Sequence, residues 1–456
     1  MANRKRIPNE SLSRLLEQAR WSRSQFALIV NRLGAEAGMD LHYDQSAVSH
    51  WVAGTTPIPP VRRLIVEAFA RKLHRTVTHA EAGLPLAASD QAPPGIDTVE
   101  EIVDLGTADM DPSRRGVIAA AGLFSAALAV PMFSGDAYAA DAHTPKDTPA
   151  FPGKQTVRIG AGQVESVRRM TDKIADILDE LGGAHARPMA AAFLVNTVVP
   201  WLRAEATDAV RKDMWAAASD LVYLTGWMAM YERDHGTAQT YYLKALKLAN
   251  RAEDHVTYCR TLRGMSLQAS NLGYGSLALK LADSAAEAAP KAGPRLKAFL
   301  TGQQAHATAM VGDRRRARNL LAATESALTQ ADNRRESIGG YDQSAYAFHV
   351  SHVLYEGRDL PGSISALQQA LKVQPANERQ GRVHFNGVLA QRQLEYGHLD
   401  AACDSWTRFL EDYEHVSSAR GDEHFDTMRL RLKPHKNARA VRQLAPRIRE
   451  VAQLKA

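Results

Sequence analysis

Apolar residues recur at three- and four-residue steps along most of the chain, which is the spacing of an α-helix buried on one face. Alternation of apolar and polar residues, which would predict β-strands, is rare, and alanine and leucine are abundant. The predicted fold class is therefore all-α. In residues 1–85 a fifth, short helix is predicted to close the domain near Leu84, because Thr78 and Glu81 have the spacing of a capping box. Four longer helices precede it, with the following inward positions: Leu12, Leu15, Leu16 and Ala19; Ala27, Val30 and Leu33; Val48, Trp51 and Val52; Leu64, Ile65, Ala68, Phe69 and Leu73.

The stretch from Ser22 to Gly54 has the pattern of two helices separated by a break. Ser22 and Gln25 have the spacing of a capping box, so this helix is predicted to begin near Arg23. Asp44 can cap the next, shorter helix, and Gly54 can adopt the left-handed conformation that ends it. This order of elements is typical of a helix-turn-helix.

The outward side of the shorter helix carries small or amide-bearing residues that can reach base edges in a DNA major groove. These residues are Gln45, Ser46, Ser49 and His50. Charge favours the same partner, because residues 1–85 carry 12 Lys/Arg against 7 Asp/Glu and basic side chains neutralise phosphates. The terminal arm, with Arg4, Lys5 and Arg6, either lies along DNA phosphates or is a solvated tail.

The run from Leu12 to Leu73 resembles the Xre/Cro-type helix-turn-helix domain. The resemblance rests on Ser24-Gln25, on Ser49-His50-Trp51 with Gly54, and on the proline-containing link that follows. It implies that double-stranded DNA is the partner and that Gln45, Ser46, Ser49 and His50 contact bases, while Arg23 and Gln25 contact phosphate. The chain departs from the family in the segment AEAGMDLHYD after Gly34, which either lengthens the helix or forms a loop. The alternative is a four-helix domain of similar appearance that binds another protein.

Residues 86–160 are predicted to form a hinge. They contain one short helix, TVEEIVDLG, and an uncharged segment at 116–133 preceded by Arg114-Arg115. We interpret 116–133 as an apolar helix packed in a soluble protein. Two alternatives stay open: a membrane anchor, and a processed twin-arginine signal that ends at Ala137-Tyr138-Ala139.

Residues 161–428 show a loose internal repeat. Glycines follow one apolar helix and precede the next at spacings of 37, 39, 45 and 40 residues, namely at Gly236, Gly273, Gly312, Gly357 and Gly397. Each unit is predicted to be a helical hairpin. The plan resembles tetratricopeptide (TPR) repeats, and small residues early in the second helix, at Ala278, Ala317 and Ala401, match that family.

A stack of such hairpins presents a concave surface built from the first helix of each unit. Polar residues among the apolar ones of those helices form the candidate ligand groove: Asn196, Tyr223, Arg263, Gln304, His349 and Asn386. An amide there can hold a peptide backbone, and an arginine can take a carboxylate. The alternative for each residue is that it satisfies buried backbone groups between repeats.

The tail at 429–456 carries 9 Lys/Arg against 1 Asp/Glu. It is predicted to form one or two basic closing helices around Pro434 and Pro446, with a solvated outer face. The alternatives are contact with phosphate and docking onto the acidic residues 86–160.

No catalytic or metal-binding set is recognisable, so we expect neither enzyme activity nor a cofactor. There is no glycine-rich nucleotide motif, and His349 and His352 have no third metal ligand nearby. The two cysteines, Cys259 and Cys403, lie far apart, which favours a reducing cytoplasm.

Over nearly its whole length the chain resembles bacterial transcriptional regulators that join an Xre-type helix-turn-helix to a C-terminal TPR solenoid. The resemblance implies DNA binding by residues 1–85 and a peptide or protein ligand in the solenoid. A homodimer is expected, paired through the solenoid or through 116–133. The alternative is an interaction scaffold that does not bind DNA and is tethered to a membrane through 116–133.

Overall fold

A computed structural model of the chain describes residues 8–36, 39–73, 77–85, 98–110, 124–125, 130, 133, 157–289, 292–331 and 341–455. Within these residues the fold is all-α, as the sequence predicts. The extended backbone found among them is limited to an isolated bridge between Arg158 and Glu205.

The N-terminal domain has four helices: α1 (Glu10–Ala19), α2 (Arg23–Glu36), α3 (Gln45–Val52) and α4 (Pro59–Leu73). Their predicted inward residues are buried, apart from Val52 and Leu73, which are partly exposed. In the core, Phe26 and Phe69 stack with ring centroids 4.7 Å apart, and Trp21 lies 5.7 Å from each. The apolar stripes of the sequence therefore meet in one small core.

The caps predicted for α2 and α3 are confirmed. The Ser22 hydroxyl accepts a hydrogen bond from the backbone N–H of Gln25 (3.2 Å), and the Gln25 side chain accepts one from the backbone N–H of Ser22 (3.0 Å). The Asp44 carboxylate accepts one from the N–H of Ala47 (2.9 Å). Gly54 has φ +98°, the left-handed conformation predicted for it.

The segment after Gly34 takes both of the forms that the sequence left open. It extends α2 to Glu36, and its described residues from 39 to 44 form a loop. The Asn31 side chain fixes the end of this loop, because it donates to the carbonyl of Tyr43 and accepts from the N–H of Tyr43, both at 2.8 Å. The loop therefore fixes the position of the start of α3.

The domain is closed by turns where the sequence predicts a short helix. The Thr78 hydroxyl accepts a hydrogen bond from the N–H of Glu81 (3.1 Å), as in a capping box, but residues 79–83 form turns. Gly83 adopts φ +62°, a left-handed conformation that ends a helix within its first turn. Leu84 is nevertheless buried, so the turns still cover the core.

Helix α5 (Thr98–Met110) is the next described element after the N-terminal domain. The larger part of the described chain is a helical solenoid. It begins with α6 (Ala161–Leu181) and α7 (Gly183–Phe193), and α7 continues through a π-helical turn, Leu194–Val198, and a last helical turn, Val199–Leu202. Five hairpins follow in the described residues: α8 (Asp208–Tyr231) with α9 (His235–Ala252), α10 (His255–Asn271) with α11 (Gly275–Glu287), α12 (Pro294–Met310) with α13 (Arg314–Thr329), α14 (Gln343–Glu356) with α15 (Leu360–Val373), and α16 (Arg379–Glu395) with α17 (Leu399–Tyr413). The last helices are α18 (Ala419–Leu432) and α19 (Arg439–Leu454).

Each hairpin turns through one residue in the left-handed region. These residues have φ between +59° and +90° and are Arg233, Gly273, Gly312, Arg358 and Gly397. Three of them are predicted hairpin glycines. At the other two turns the prediction is displaced: Gly236 lies inside α9, and Gly357 precedes the turn residue. An arginine in this conformation costs about 1 kcal/mol, which the Asp caps that follow directly, Asp234 and Asp359, help to offset.

The solenoid closes on itself. Helix α6 packs against α16, and the carbonyl of Leu181 accepts a hydrogen bond from the N–H of Ser417 (2.8 Å). The Glu232 carboxylate, at the first hairpin turn, accepts one from the N–H of Ala419 (3.1 Å). The predicted concave surface is therefore bounded by contacts between the first and last helices.

The basic tail packs as a closing helix. Val441, Leu444 and Val451 of α19 are buried in one cluster with Trp406 and Phe409 of α17. On the outer side, Arg447 forms an ion pair with Glu414 (2.7 Å). Helix α19 therefore has a buried apolar face, and Arg439, Arg442 and Arg449 are exposed on its outer side.

Only four residues of the predicted apolar helix at 116–133 are described, and none of the four is helical. Phe124 is buried and stacks on Tyr274, with ring centroids 5.6 Å apart. Gln239 of α9 exchanges two hydrogen bonds with the backbone of Ser125 (2.8 and 2.9 Å). These residues therefore pack against the solenoid. Within the described ranges, no helix is both long and apolar enough to cross a membrane.

Candidate functional site

The predicted DNA-contacting residues of α2 and α3 form one exposed surface, which we call the α2/α3 face. It comprises Arg23, Gln25, Gln45, Ser46, Ser49 and His50, of which Ser49 is partly exposed and the others are exposed. Side-chain hydrogen bonds align the two helices: Ser24 donates to Gln45 Oε1, and Arg23 donates to the Ser49 hydroxyl, both at 3.1 Å. The structure thus brings together all six of these residues.

The hydrogen bonds decide which groups remain available on the α2/α3 face. Gln45 accepts through Oε1, which leaves its amide N–H₂ as a donor. Ser49 is engaged twice, since its hydroxyl donates to the backbone carbonyl of Gln45 (2.8 Å) and accepts from Arg23. Gln25 uses its oxygen in the α2 cap, so its amide group faces solvent at the positive end of that helix. Of the four predicted base-contacting residues, Ser49 therefore has the side chain that is most engaged within the domain.

Helix α3 packs on α1 and α2. The contact of the domain with the solenoid is made by α4. Glu67 of α4 is 2% exposed, and its Oε1 accepts hydrogen bonds from the hydroxyl of Tyr274 (2.7 Å) and from Arg71 Nε (2.8 Å). Tyr274 stands at the start of α11, in the second hairpin of the solenoid. The α2/α3 face and the contact with the solenoid thus lie on different elements. Arg4, Lys5 and Arg6 of the predicted phosphate-binding arm lie outside the described residues.

Helix α5 (Thr98–Met110) packs on the solenoid through a buried ion pair. Asp109, 1% exposed, accepts from Arg187 (2.8 Å to Nε) and from the hydroxyl of Tyr241 (3.1 Å). Arg187 also pairs with Asp234 (2.8 Å), and the two carboxylates raise the pKa of its guanidinium. The short helix predicted within residues 86–160 is therefore packed on the solenoid.

Inside the solenoid, aromatic, histidine and arginine side chains form a closed circuit, which we call the inner ring. Its contacts run through the first helix of each hairpin and through α18: Arg263 over Trp227 (5.6 Å) and Phe299 (4.3 Å), His306 beside His352 (4.5 Å), Phe348 on Phe385 (4.3 Å), His384 beside His424 (5.2 Å), and Arg420 over Tyr231 (4.4 Å). Tyr231 and Trp227 are on the same helix, so the circuit returns to its start. Several members, including Trp227, Phe348, His352 and His384, are partly exposed, so solvent reaches the ring.

The predicted groove residues divide into three groups in the structure. Arg263, 7% exposed, belongs to the inner ring. Tyr223, 4% exposed, borders it beside Trp227. Gln304 and His349 are engaged with the protein itself: Gln304 donates to Asp283 (2.9 Å), and His349 Nδ1 lies 2.8 Å from the hydroxyl of Tyr341. For these two residues the structural alternative given by the sequence fits better.

The remaining two predicted groove residues differ in exposure. Asn386 is buried, and its side-chain oxygen has no hydrogen-bond partner in the structure. Asn196 is exposed in the π-helical turn that packs against α5. None of the described contacts joins Asn196 to the inner ring.

Burial keeps the histidines of the inner ring neutral. It lowers the pKa of His306 to about 4, assisted by the positive charges of Arg392 and Arg263. It lowers the pKa of His424 to about 3, assisted by Arg420 and Arg233. His424 also fits this state geometrically, with Nε2 3.0 Å from His384 Nδ1 and Nδ1 2.9 Å from the amide nitrogen of Gln391. The fixed positive charge of the ring therefore resides on its arginines.

The sequence interpretation missed most of the inner ring. Tyr223, Trp227 and Tyr231 recur at four-residue steps on α8, with neighbouring centroids 6.3 and 5.4 Å apart. That stripe of large aromatic residues is the signal that could have identified the inner face of α8. The predicted residues were chosen instead for their polarity. Within the part of the chain that the structure describes, no group of three His, Cys, Asp or Glu side chains could hold a metal ion.

Residues 12–85, which span the N-terminal domain from α1 to the closing turns, match the protein family described as the SP15 N-terminal domain. No characterised protein matches the chain in a sequence search. Four solved chains match in structure. One of them is the crystal structure of a Rap protein complexed with Competence and Sporulation Factor, which is 12% identical, with a TM-score of 0.39 over 64% of this chain and 99% of that chain. The chain is thus similar to these proteins in part.

Proposed function

We propose that the chain is a DNA-binding transcriptional regulator that reads DNA through the α2/α3 face. The observation that supports this most is the arrangement of Arg23, Gln25 and Gln45: exposed donors on two adjacent helices, fixed relative to each other by hydrogen bonds. A short helix with amide and hydroxyl side chains suits a major groove. The capped start of α2 suits a phosphate. On this proposal the protein is not an enzyme.

In the same proposal the solenoid binds a peptide or protein ligand at its inner ring. Two chains pair, so that two α3 helices reach half-sites about 10 base pairs apart. A ligand that favours one shape of the closed solenoid changes the spacing of the two α3 helices, because α4 and α5 are docked on the solenoid by buried contacts. DNA affinity then depends on the ligand.

Selection of bound sequences from a random double-stranded DNA library tests the proposal with the full chain. Wild type is expected to enrich one motif. Gln45→Ala is expected to relax the base preference at one position of that motif, by a factor that corresponds to about 1–3 kcal/mol. Arg23→Ala is expected to weaken all sequences alike and to reduce the salt dependence of binding by about one phosphate contact.

The matched control is Arg315→Ala, which removes an exposed arginine on α13 of the solenoid. It should leave both the motif and the affinity unchanged. No enriched motif with the wild-type chain, or the same motif and affinity in all three variants, would contradict the proposal.

A further inference from the structure

We propose that the inner ring binds its ligand through a carboxylate, and that Arg263 receives it. This deepens the sensing role proposed for the solenoid, and it rests on that proposal only for its biological meaning. The site itself follows from the environment of one buried side chain.

Arg263 is a buried cation without a counter-ion. Its side chain is 7% exposed, and among the described residues no carboxylate lies within ion-pair distance of its guanidinium. Its Nε is buried and makes no hydrogen bond. The groups that act electrostatically on it are tyrosines, and burial lowers the pKa of its guanidinium. A charge in this position is costly unless something pairs with it.

Arg260, three residues earlier on α10, is a buried arginine that does have a counter-ion. It is 6% exposed, almost the same as Arg263. Its guanidinium donates to Asp220 Oδ1 (2.9 Å), and that charge raises its pKa despite burial. The two arginines therefore share a helix and a degree of burial but differ in having a partner. A ligand can supply the negative charge that Arg263 lacks.

The neighbours of Arg263 indicate the class of ligand. Its guanidinium lies over the rings of Trp227 and Phe299, so its planar faces are covered and its edge donors stay available in the fork that a carboxylate fits. A single unpaired positive charge matches a monoanion. Phosphate carries about −1.5 to −2 at pH 7, and the nearby His306 is neutral and adds no positive charge. The aromatic rings provide an apolar surface for the rest of the ligand.

The melting temperature of the ligand-free protein tests whether Arg263 lacks a counter-ion. Arg263→Met keeps the length of the side chain and removes the unpaired charge, so the melting temperature of the empty protein is expected to stay the same or rise. Arg260→Met, the matched control, leaves Asp220 without its partner and is expected to lower the melting temperature by several degrees. Equal losses in the two variants would show that Arg263 is satisfied within the protein and would overturn the site.

Binding is tested with simple probes at constant ionic strength. Sodium benzoate is expected to raise the melting temperature of the wild type more than its uncharged analogue benzamide does, since a ligand that binds only the native state stabilises it. The difference should persist in Arg260→Met relative to that variant's own baseline, and it should vanish in Arg263→Met. No difference between benzoate and benzamide in the wild type overturns the proposal. Stabilisation by inorganic phosphate but not by benzoate overturns the carboxylate assignment.

These measurements need no DNA. A chain that binds benzoate through Arg263 but enriches no DNA motif would retain the site and refute the proposed regulator. A chain that enriches a clear DNA motif but does not respond to benzoate would retain the proposed regulator and refute the site.

Discussion

The ionisation of the buried histidines of the inner ring is coupled to folding. His306 is 5% exposed and has a pKa of about 4 in the folded chain, whereas an unfolded chain leaves a histidine near 6.5. Burial is the main cause, because a protonated ring would lose its hydration. Positive arginines nearby add to the effect.

This lowered pKa predicts a loss of stability in mild acid. Below pH 6.5 the unfolded chain binds a proton at His306 that the folded chain does not bind until about pH 4, so the free energy of unfolding falls as the pH falls through that window. Each such group contributes at most about 1.4 kcal/mol per pH unit. Urea unfolding of the wild type at several pH values should show this decline, and His306→Asn should show a shallower one. Parallel declines would contradict the assignment of His306 as a neutral buried group.

At the scale of the element, α3 depends on its N-terminal cap and on its packing against the domain core. It has only eight residues, which is too short for a helix to be stable by itself in water. Asp44 caps its first turn, and Val48 and Trp51 hold its inner face in the core. Its outer face is left free to carry the candidate DNA-contacting residues.

Removing this cap should loosen α3 without unfolding the domain. Asp44→Ala is expected to cost about 1 kcal/mol, while Asp44→Ser keeps an oxygen at the cap. Hydrogen exchange of the full chain should show faster exchange across α3 in Asp44→Ala than in Asp44→Ser, with α1 unchanged in both. Equal exchange in the two variants would mean that packing alone maintains the helix.

Local signals in the sequence predicted these elements well. The capping box at Ser22 and Gln25, the cap at Asp44 and the left-handed Gly54 are set by neighbouring residues, and all three are confirmed. The signal at Thr78 has the same local form, but it sits just before a left-handed Gly83 and yields turns. Competition between two local signals was not resolved by the sequence alone.

Long-range packing was not predictable in the same way. Contacts such as Ser417 to Leu181 close the solenoid across more than two hundred residues, and no periodicity along the chain encodes that distance. For the same reason the groove prediction included Gln304, whose partner Asp283 lies on the neighbouring helix. That the residues of the α2/α3 face share one surface was easier to predict, because two helices adjacent in the sequence contribute all of them.

For the molecule as a whole, the important feature is that the N-terminal domain and α5 are each docked on the solenoid by buried polar contacts. Glu67 with Tyr274 connects α4 to the second hairpin, and Asp109 connects α5 to α7 through Arg187 and to the first hairpin through Tyr241. A buried carboxylate that loses a partner is costly, so the two parts are expected to move together. This connection lets ligand binding at Arg263 affect the α2/α3 face on the proposed account.

The central claim is that the chain binds specific DNA sequences, and mapping of its binding sites across the genome tests it most directly. Cells producing the tagged full-length chain should yield discrete sites that share one motif, and a strain producing Gln45→Ala from the same promoter should lose those sites or show an altered motif. No sites above an untagged control, or identical sites for both proteins, would contradict the account.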